Sequence, residues 1–149
     1  MTRQSGPVAN GSTTFLGEKG VETLKLETVH TDKAPQAIGP YSQAIKANGF
    51  VFVSGQIPID PESGQLATGT ISEQTKLVMR NLTAILEASG SSLDRVVKTT
   101  IYLKDMGSFD EVNKAYGEYF SQHKPARATV QVAKLPRNVS IEIDAVALY

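Results

Sequence analysis

Residues 125–143 read PARATVQVAKLPRNVSIEI and hold two strand-like segments on either side of a short turn. Side chains two residues apart in a strand lie on the same face. The first segment therefore presents Arg127 and Thr129 on one polar face, and the second presents Glu142 and Asp144 on another. If the two strands pair antiparallel, these polar faces lie side by side. The stretch thus predicts that Arg127 and Glu142 meet around one site.

Two interpretations of Arg127 and Glu142 fit this pattern. In the first, both side chains lie on a solvated outer face and form a cross-strand ion pair that contributes about 0–1 kcal/mol. In the second, the planar guanidinium binds a substrate carboxylate through two parallel hydrogen bonds. Glu142 would then hold or activate a water molecule as a general acid–base group. The periodicity of the sequence does not separate these two interpretations.

The sequence on the N-terminal side of this stretch predicts four further strands. Residues 21–29, 41–47, 50–54 and 93–103 show the alternation or the β-branched and aromatic composition typical of strands. The pair Asn48-Gly49 between two of these strands is a strong signal for a β-hairpin.

Two segments have the periodicity of amphipathic helices. Residues 70–89 carry apolar side chains at steps of three and four, with Ser72 as the predicted N-cap and Gly90 as the stop. Residues 108–120 form the second predicted helix. Ser108 followed three residues later by Glu111 fits a capping box at its start.

The order of these elements predicts an α+β fold, and 149 residues are most simply one domain. We expect a sandwich in which a mixed sheet carries two helices on one face, because two helices can cover only that face. If the other face carries apolar side chains, a partner subunit must bury it. This arrangement indicates an oligomer.

The composition excludes several classes of site. Fifteen basic and fifteen acidic side chains cancel, which argues against non-specific binding of nucleic acid. The chain has no cysteine, so disulfides and thiolate metal sites are impossible. His30 and His123 lie far apart in sequence, so we expect no metal. No apolar run approaches the ~18 residues that span a bilayer.

Residues 1–20 are rich in Gly, Ser and Thr and lack an apolar segment of signal-peptide length. We expect them to be a flexible N-terminal extension, with organelle targeting as the minor alternative, and residues 21–149 to be the folded domain.

Residues 125–143 resemble the signature of the Rid family, the YjgF-like enamine/imine deaminases. That signature has a Pro-x-Arg start, a spaced apolar strand and an apolar-Glu-apolar triplet, which is Ile141-Glu142-Ile143 in this chain. The resemblance continues in IGPYSQAI at 38–45, VFVSGQIP at 51–58 and VNKAYGEYF at 112–120. It covers residues 28–148.

The resemblance implies a fold similar to bacillus-type chorismate mutase, assembled as a homotrimer. The helices would lie outside, the sheets would line a central barrel, and the active sites would lie in clefts between subunits. The implied activity is that of a 2-iminobutanoate/2-iminopropanoate deaminase, which hydrolyses reactive enamines and imines to 2-keto acids and ammonia without cofactor or metal. The implied location is cytoplasmic or mitochondrial.

The same resemblance assigns roles to individual residues. Arg127 is implied to grip the substrate carboxylate and Glu142 to position or activate the hydrolytic water. The further implied substrate-binding positions are Tyr41, Gly55, Asn113 and Thr129. Thr129 departs from the family pattern, because many active members carry cysteine there, although threonine keeps a small polar group on the same strand face.

Each of the further positions also has a purely structural interpretation. Tyr41 could be a half-buried tyrosine with its hydroxyl in water, and Gly55 could ease a bulge after a strand. Asn113 could be an exposed helix residue, and Thr129 a β-branched strand former.

Two other functions fit the same family resemblance. The first is a non-catalytic trimeric protein that binds small carboxylates in the same clefts. Threonine at position 129, where many active members carry cysteine, is compatible with this alternative. The second is a ribonuclease or translation inhibitor, against which the neutral charge and the lack of an RNA-binding motif argue.

Overall fold

The computed structural model of the chain describes residues 12–17 and 20–149. The elements in chain order are β1 (Ser12–Gly17), β2 (Gly20–Val29), β3 (Ala44–Ala47), β4 (Phe50–Gln56), α1 (Ile71–Ala88), β5 (Val96–Leu103), α2 (Phe109–Gly117), β6 (Ala126–Gln131) and β7 (Ile141–Leu148). Part of the predicted N-terminal extension forms β1, which pairs antiparallel with β2. The prediction for residues 1–11 and 18–19 lies outside the described residues.

The described strands form one mixed sheet in the order β1-β2-β3-β4-β7-β5-β6. Every neighbouring pair is antiparallel except β5 and β6, which are parallel. Helix α1 packs on β4, β7 and α2, so the helices lie together on one face of the sheet. The predicted α+β class, with a mixed sheet and two helices on one face, is confirmed.

The hairpin between β3 and β4 turns at Asn48-Gly49, as the sequence predicts. Both residues have positive φ, 48° for Asn48 and 82° for Gly49. Two consecutive positive φ values are the geometry of a type I′ turn, whose twist matches that of the flanking strands.

Helix α1 begins with a capping box, but not at the predicted residue. The N-cap is Thr70, whose hydroxyl accepts from the Glu73 amide at 3.2 Å while the Glu73 carboxylate accepts from the Thr70 amide at 2.7 Å. The predicted cap, Ser72, lies inside the helix. Gly90 follows the helix with φ +78° and ends it, as predicted.

The predicted capping box of α2 is wrong. Ser108 has a helical backbone conformation and makes no side-chain cap hydrogen bond. A short 3-10 turn over Met106–Ser108 precedes the helix, and the Asp105 carboxylate caps that turn by accepting from the Gly107 amide at 2.8 Å. The cap therefore lies three residues before the predicted one.

We call the sheet face opposite the helices the open face. It carries apolar side chains. The buried side chains of β7 point to the helices, whereas Glu142, Asp144 and Val146 alternate to the other side. The large exposed apolar residues whose register places them on the open face are Leu26, Phe50, Phe52, Val130 and Leu148, which are 38–49% exposed. Exposed apolar patches of this kind are typical of surfaces that bind another protein, a membrane or a ligand.

Candidate active site

Arg127, near the start of β6, lies on the same side of the sheet as α2. Its cross-strand neighbour is the buried Thr99 of β5. Nη1 of Arg127 donates to Oδ1 of Asn113 at 2.8 Å, and the guanidinium carbon lies 5.1 Å from the ring centroid of Tyr116 and 5.8 Å from that of Phe109. The two rings and the amide fix the orientation of the charged group.

Tyr116 is the support of Arg127 that the sequence analysis did not single out. It is 6% exposed, its hydroxyl lies 2.7 Å from Oγ1 of Thr99, and its ring packs on Phe120 at a centroid distance of 4.8 Å. Burial raises the pKa of Tyr116. The spacing of three between Asn113 and Tyr116, which places both on one helix face, is the signal that could have identified it.

A cavity of about 640 Å³ opens beside Arg127. Lys124 and Arg127 are the charged residues of its wall, and the rest of the lining is aromatic, small or uncharged. In the part of the chain that the structure describes, no carboxylate lies within ion-pair distance of Arg127. The cavity therefore presents positive charge that an anionic group can bind.

Thr129 lies on the same side of β6 as Arg127. Its cross-strand neighbour is the buried Ile101, and its own Oγ1 is buried with no hydrogen-bond partner within the described part of the chain. A buried hydroxyl without a partner is unfavourable by about 1–3 kcal/mol and calls for an explanation. This hydroxyl is therefore a hydrogen-bond donor without a partner, two residues along β6 from Arg127.

Glu142, in β7, lies on the opposite face of the sheet and is half-buried. Its side chain occupies the space next to Gly55, which lies in the irregular end of β4 between Val53 and Gln56. A Cβ at position 55 would overlap Oε1 of Glu142 and would lie 2.8 Å from its Cδ. A side chain at position 55 would therefore displace this carboxyl group, and glycine leaves it the space that it occupies.

The environment of Glu142 favours its protonated form. Burial raises the pKa of the Glu142 carboxyl, and the neighbouring charge of Asp144 raises it further. A carboxyl group with a raised pKa takes and releases protons closer to neutral pH than an ordinary glutamate, which suits general acid–base chemistry.

A second cavity, of about 840 Å³, contains Glu142. Its wall combines Gly55 and Tyr41 with Arg137 and the apolar Ile38 and Ile57. Tyr41 is 54% exposed and follows Gly39, whose φ is +133°. The cavity thus has one carboxyl group at its base, an apolar side and a tyrosine at its rim.

The loop that carries Tyr41 is anchored by the buried Gln43. The side-chain oxygen of Gln43 accepts from the Thr31 amide at 2.7 Å, and its nitrogen donates to the carbonyls of Thr31 at 3.0 Å and Pro35 at 2.8 Å. At the other end, the Ser54 hydroxyl donates to the Ser42 carbonyl at 2.6 Å. Both ends of the loop are fixed, and its middle reaches the cavity.

The six predicted site residues form two groups within one chain. Asn113, Arg127 and Thr129 lie on the helix side of β6, whereas Glu142, Gly55 and Tyr41 belong to the second cavity. The prediction that Arg127 and Glu142 meet on adjacent strands is wrong for a single chain. The connection β5-α2-β6 is a parallel crossover that places β6 beside β5, and β7 enters between β4 and β5.

No three His, Cys, Asp or Glu side chains within residues 12–17 and 20–149 form a group that could hold a metal ion. The described helices include none with the length and apolar character needed to cross a bilayer.

The profile of the family described as Endoribonuclease L-PSP matches residues 31–149. A RutC family protein of Pyrococcus abyssi is 56% identical over 124 residues, which are 83% of this chain and 98% of that protein. Human 2-iminobutanoate/2-iminopropanoate deaminase is 46% identical over 128 residues, 86% of this chain and 93% of that protein.

Among solved structures, that of Escherichia coli TdcF with bound serine superposes with a TM-score of 0.79 at 37% identity, covering 83% of this chain and 98% of TdcF. The family profile spans most of the chain, and these identities extend over nearly the full length of the relatives. The chain therefore belongs to the YjgF/RidA family, the Rid family that the motifs around Arg127 and Glu142 indicate.

Proposed function

We propose that this chain hydrolyses small 2-imino acids and their enamine tautomers, with 2-iminobutanoate and 2-iminopropanoate as substrates, to 2-keto acids and ammonia. The observation that carries the proposal is the state of Arg127, a guanidinium held in a fixed orientation beside a basic cavity without a carboxylate partner among the described residues. The name of the human relative supports the choice of substrate.

Arg127 binds the substrate carboxylate through the two parallel hydrogen bonds that its planar fork allows. Asn113 already accepts one N–H of the guanidinium at 2.8 Å, which keeps the fork in place. The hydroxyl of Thr129, buried without a partner, is a donor to the same carboxylate. These three side chains hold the substrate by its anionic end.

Glu142 carries out the proton transfers. It accepts a proton from a water molecule as the water oxygen attacks the imine carbon and the C=N double bond becomes a single bond. It delivers this proton to nitrogen, which gives a tetrahedral intermediate with one hydroxyl and one amino group. It then takes the hydroxyl proton and passes it to nitrogen as the C–N bond breaks, so that ammonia leaves and the C=O bond of the 2-keto acid forms. The backbone of Gly55 and the ring of Tyr41 complete the wall around the reacting carbon.

The two groups of residues come together between copies of the chain. Because Arg127 and Glu142 lie on opposite faces of one sheet, a complete site needs Arg127 from one copy and Glu142 from a neighbour. The apolar open face supports a homotrimer in which this face is buried, as the family resemblance implies.

A coupled assay tests the activity. Threonine dehydratase supplies 2-iminobutanoate, and the release of 2-ketobutyrate is followed with and without the protein. We expect wild type to accelerate release and Arg127→Ala to reduce kcat/KM by about 100-fold, because two charge-assisted hydrogen bonds are lost. Arg95→Ala removes an exposed arginine in a different part of the chain and serves as the control. A wild type that does not accelerate release, or an Arg127→Ala variant that retains full activity, contradicts the proposal.

A second candidate function is binding of small carboxylates without turnover. TdcF was solved with bound serine, an amino acid that has the same carboxylate end as an imino acid. Calorimetry with serine, run beside the coupled assay, separates the two functions. Binding that depends on Arg127, together with no acceleration of imine hydrolysis, would favour the binding protein.

The family description also raises endoribonuclease activity. The net charge of the chain is zero, which argues against electrostatic binding of RNA. Cleavage of an RNA substrate that persists through stringent purification and is lost in Glu142→Gln would favour this third function over the deaminase.

A further inference from the structure

We propose that Asp144, held in place by Tyr102, is a positioning residue that sets the pH range in which Glu142 transfers protons. This inference rests on the proposed function and gives a role to Asp144 and Tyr102, which line neither of the two cavities. It concerns the open face of the sheet, where β7 and β5 lie side by side.

The register places the three side chains together. Glu142 and Asp144 are two residues apart in β7, so they share a face and their Cα atoms are about 7 Å apart. Tyr102 of β5 is the cross-strand partner of Glu142, and its hydroxyl donates to Oδ2 of Asp144 at 2.9 Å. Tyr102 therefore spans the two carboxyl groups and fixes the position of one of them.

The hydrogen bond distinguishes the two carboxyl groups. The tyrosine hydroxyl fixes the negative charge of Asp144 at one position on the sheet. That charge lies beside a half-buried Glu142 and disfavours a second charge there. The directions of two pKa shifts agree with this geometry: the pKa of Glu142 is raised by burial and then by Asp144, and that of Tyr102 is raised chiefly by its hydrogen bond to Asp144.

The titratable or charged groups that face the region around Glu142 from the described elements include Lys98 and Lys104, which the register of β5 places on the same face as Tyr102. Arg137 and Tyr41 lie in the wall of the cavity that contains Glu142, and Asp144 and Tyr102 lie on the sheet. In the proposed assembly, Arg127 of a neighbouring copy also faces the carboxyl. All of these except Asp144 are unchanged in an Asp144→Asn variant, so the difference between variant and wild type isolates the effect of Asp144.

The charge of Asp144 therefore has opposite effects on the activity near neutral pH and at acidic pH. A carboxylate that binds protons more tightly is a stronger base at neutral pH, but it is protonated and inactive at a higher pH than an ordinary glutamate. Removing the charge of Asp144 should therefore weaken the enzyme near neutrality and extend its activity to more acidic conditions.

The experiment measures kcat/KM against pH for wild type, Asp144→Asn and Tyr102→Phe, with Glu118→Gln as a control that removes one negative charge from the residue that follows α2. We expect the acidic limb of Asp144→Asn to move to lower pH, with kcat/KM at pH 7 reduced about 3–10-fold. Tyr102→Phe keeps the charge of Asp144 but removes the hydrogen bond that holds it in place. The acidic limb of this variant should therefore lie between those of wild type and Asp144→Asn. Glu118→Gln should superimpose on wild type.

An acidic limb of Asp144→Asn that coincides with that of wild type overturns the proposal, and a Tyr102→Phe profile identical to wild type overturns the role given to Tyr102. A purely structural role would lower the melting temperature without moving the limb. Titration of the Glu142 carboxyl by carbon NMR in wild type and Asp144→Asn gives the same test without turnover. It therefore separates failure of this inference from failure of the proposed activity.

Discussion

Arg127 and Glu142 lie on opposite faces of the same sheet, because the strand order places β5 between β6 and β7 and the register turns their side chains to different sides. The guanidinium faces α2, and the carboxyl faces the side where the sheet is uncovered. In the proposed site, the two groups that act on one small substrate therefore come from two copies of the chain.

Mixing two inactive variants should restore activity. Arg127→Ala lacks one group and Glu142→Gln lacks the other, so a site between a Glu142→Gln copy and an Arg127→Ala copy can be intact. Random exchange of subunits at a 1:1 ratio leaves about one quarter of sites with both groups. Native mass spectrometry confirms the exchange, and the coupled assay measures the recovery. Exchanged assemblies that stay inactive would show that both groups act within one chain.

Phe52→Lys should break the assembly. Phe52 is 49% exposed on the open face, and a lysine at this position would bury an unpaired charge in the proposed interface. We expect this variant to elute as a monomer in size-exclusion chromatography with light scattering and to lose activity with its fold intact by circular dichroism. Val97→Lys, which changes another exposed apolar residue outside the regular register of β5 and β7, is the matched comparison. A fully active Phe52→Lys assembly would mean that this face is not the interface.

Gly55→Ala should remove activity with little loss of stability. The added methyl group overlaps the end of the Glu142 side chain, which can rotate away, so the fold is retained while the carboxyl is displaced. We expect kcat to fall at least about 10-fold, in line with loss of a positioned acid–base group. In the double variant Gly55→Ala, Glu142→Asp, the shorter aspartate side chain leaves room for the methyl group. The loss of activity in this variant should therefore be smaller than the sum of the losses in the two single variants. Strict additivity would show that the two positions are independent.

Glu142→Gln should stabilise the protein at neutral pH while it abolishes turnover. The folded-state pKa of Glu142 is raised, so the protonated form is the one favoured by folding. Stability from this group is fully present below the unfolded-state pKa of a glutamate, about 4.3, and is lost as the pH rises through the folded-state pKa. The melting temperature of the variant should therefore exceed that of wild type at pH 7–8, and the two should converge near pH 4. A difference that is constant over this range would exclude the titration of Glu142 as its cause.

Gln43→Leu should loosen the loop that carries Tyr41. The substitution leaves the Thr31 amide and the carbonyls of Thr31 and Pro35 without their partner, at a cost of about 1–3 kcal/mol. We expect faster hydrogen exchange in residues 31–41 and a raised KM with a smaller change in kcat. Thr75→Val removes a buried hydroxyl bond within α1, far from the cavities, and should lower stability without the change in KM. Equal effects of both variants on KM would remove the positioning role.

Local periodicity predicts the elements whose structure is determined by neighbouring residues. Alternation predicts β2 and β4, Asn48-Gly49 predicts the type I′ hairpin, and the steps of three and four predict both helices. The sequence does not determine which residue is the N-cap. Thr70 and Ser72 are equally suitable caps by residue type, and so are Asp105 and Ser108. Backbone geometry, which only the folded chain shows, decides between them.

The neighbours of β6 could not be read from the sequence. The turn at residues 136–138 is compatible with an antiparallel pairing of β6 and β7, but the crossover through α2 and the insertion of β7 between β4 and β5 are long-range choices of the whole sheet. The same limit applies to Tyr102, which reaches Asp144 only because β5 and β7 are neighbours. Periodicity gives the face on which a side chain lies within its strand, but not which strand lies next to it.

In the proposed site, the pair Arg127 and Glu142 is divided between the two sides of one sheet, which would tie turnover to the amount of protein present. A single copy would hold one half of each of two sites, so dilution below the dissociation constant of the assembly would silence the enzyme while every chain stayed folded. A cell could then control this activity through expression level alone, without any effector molecule.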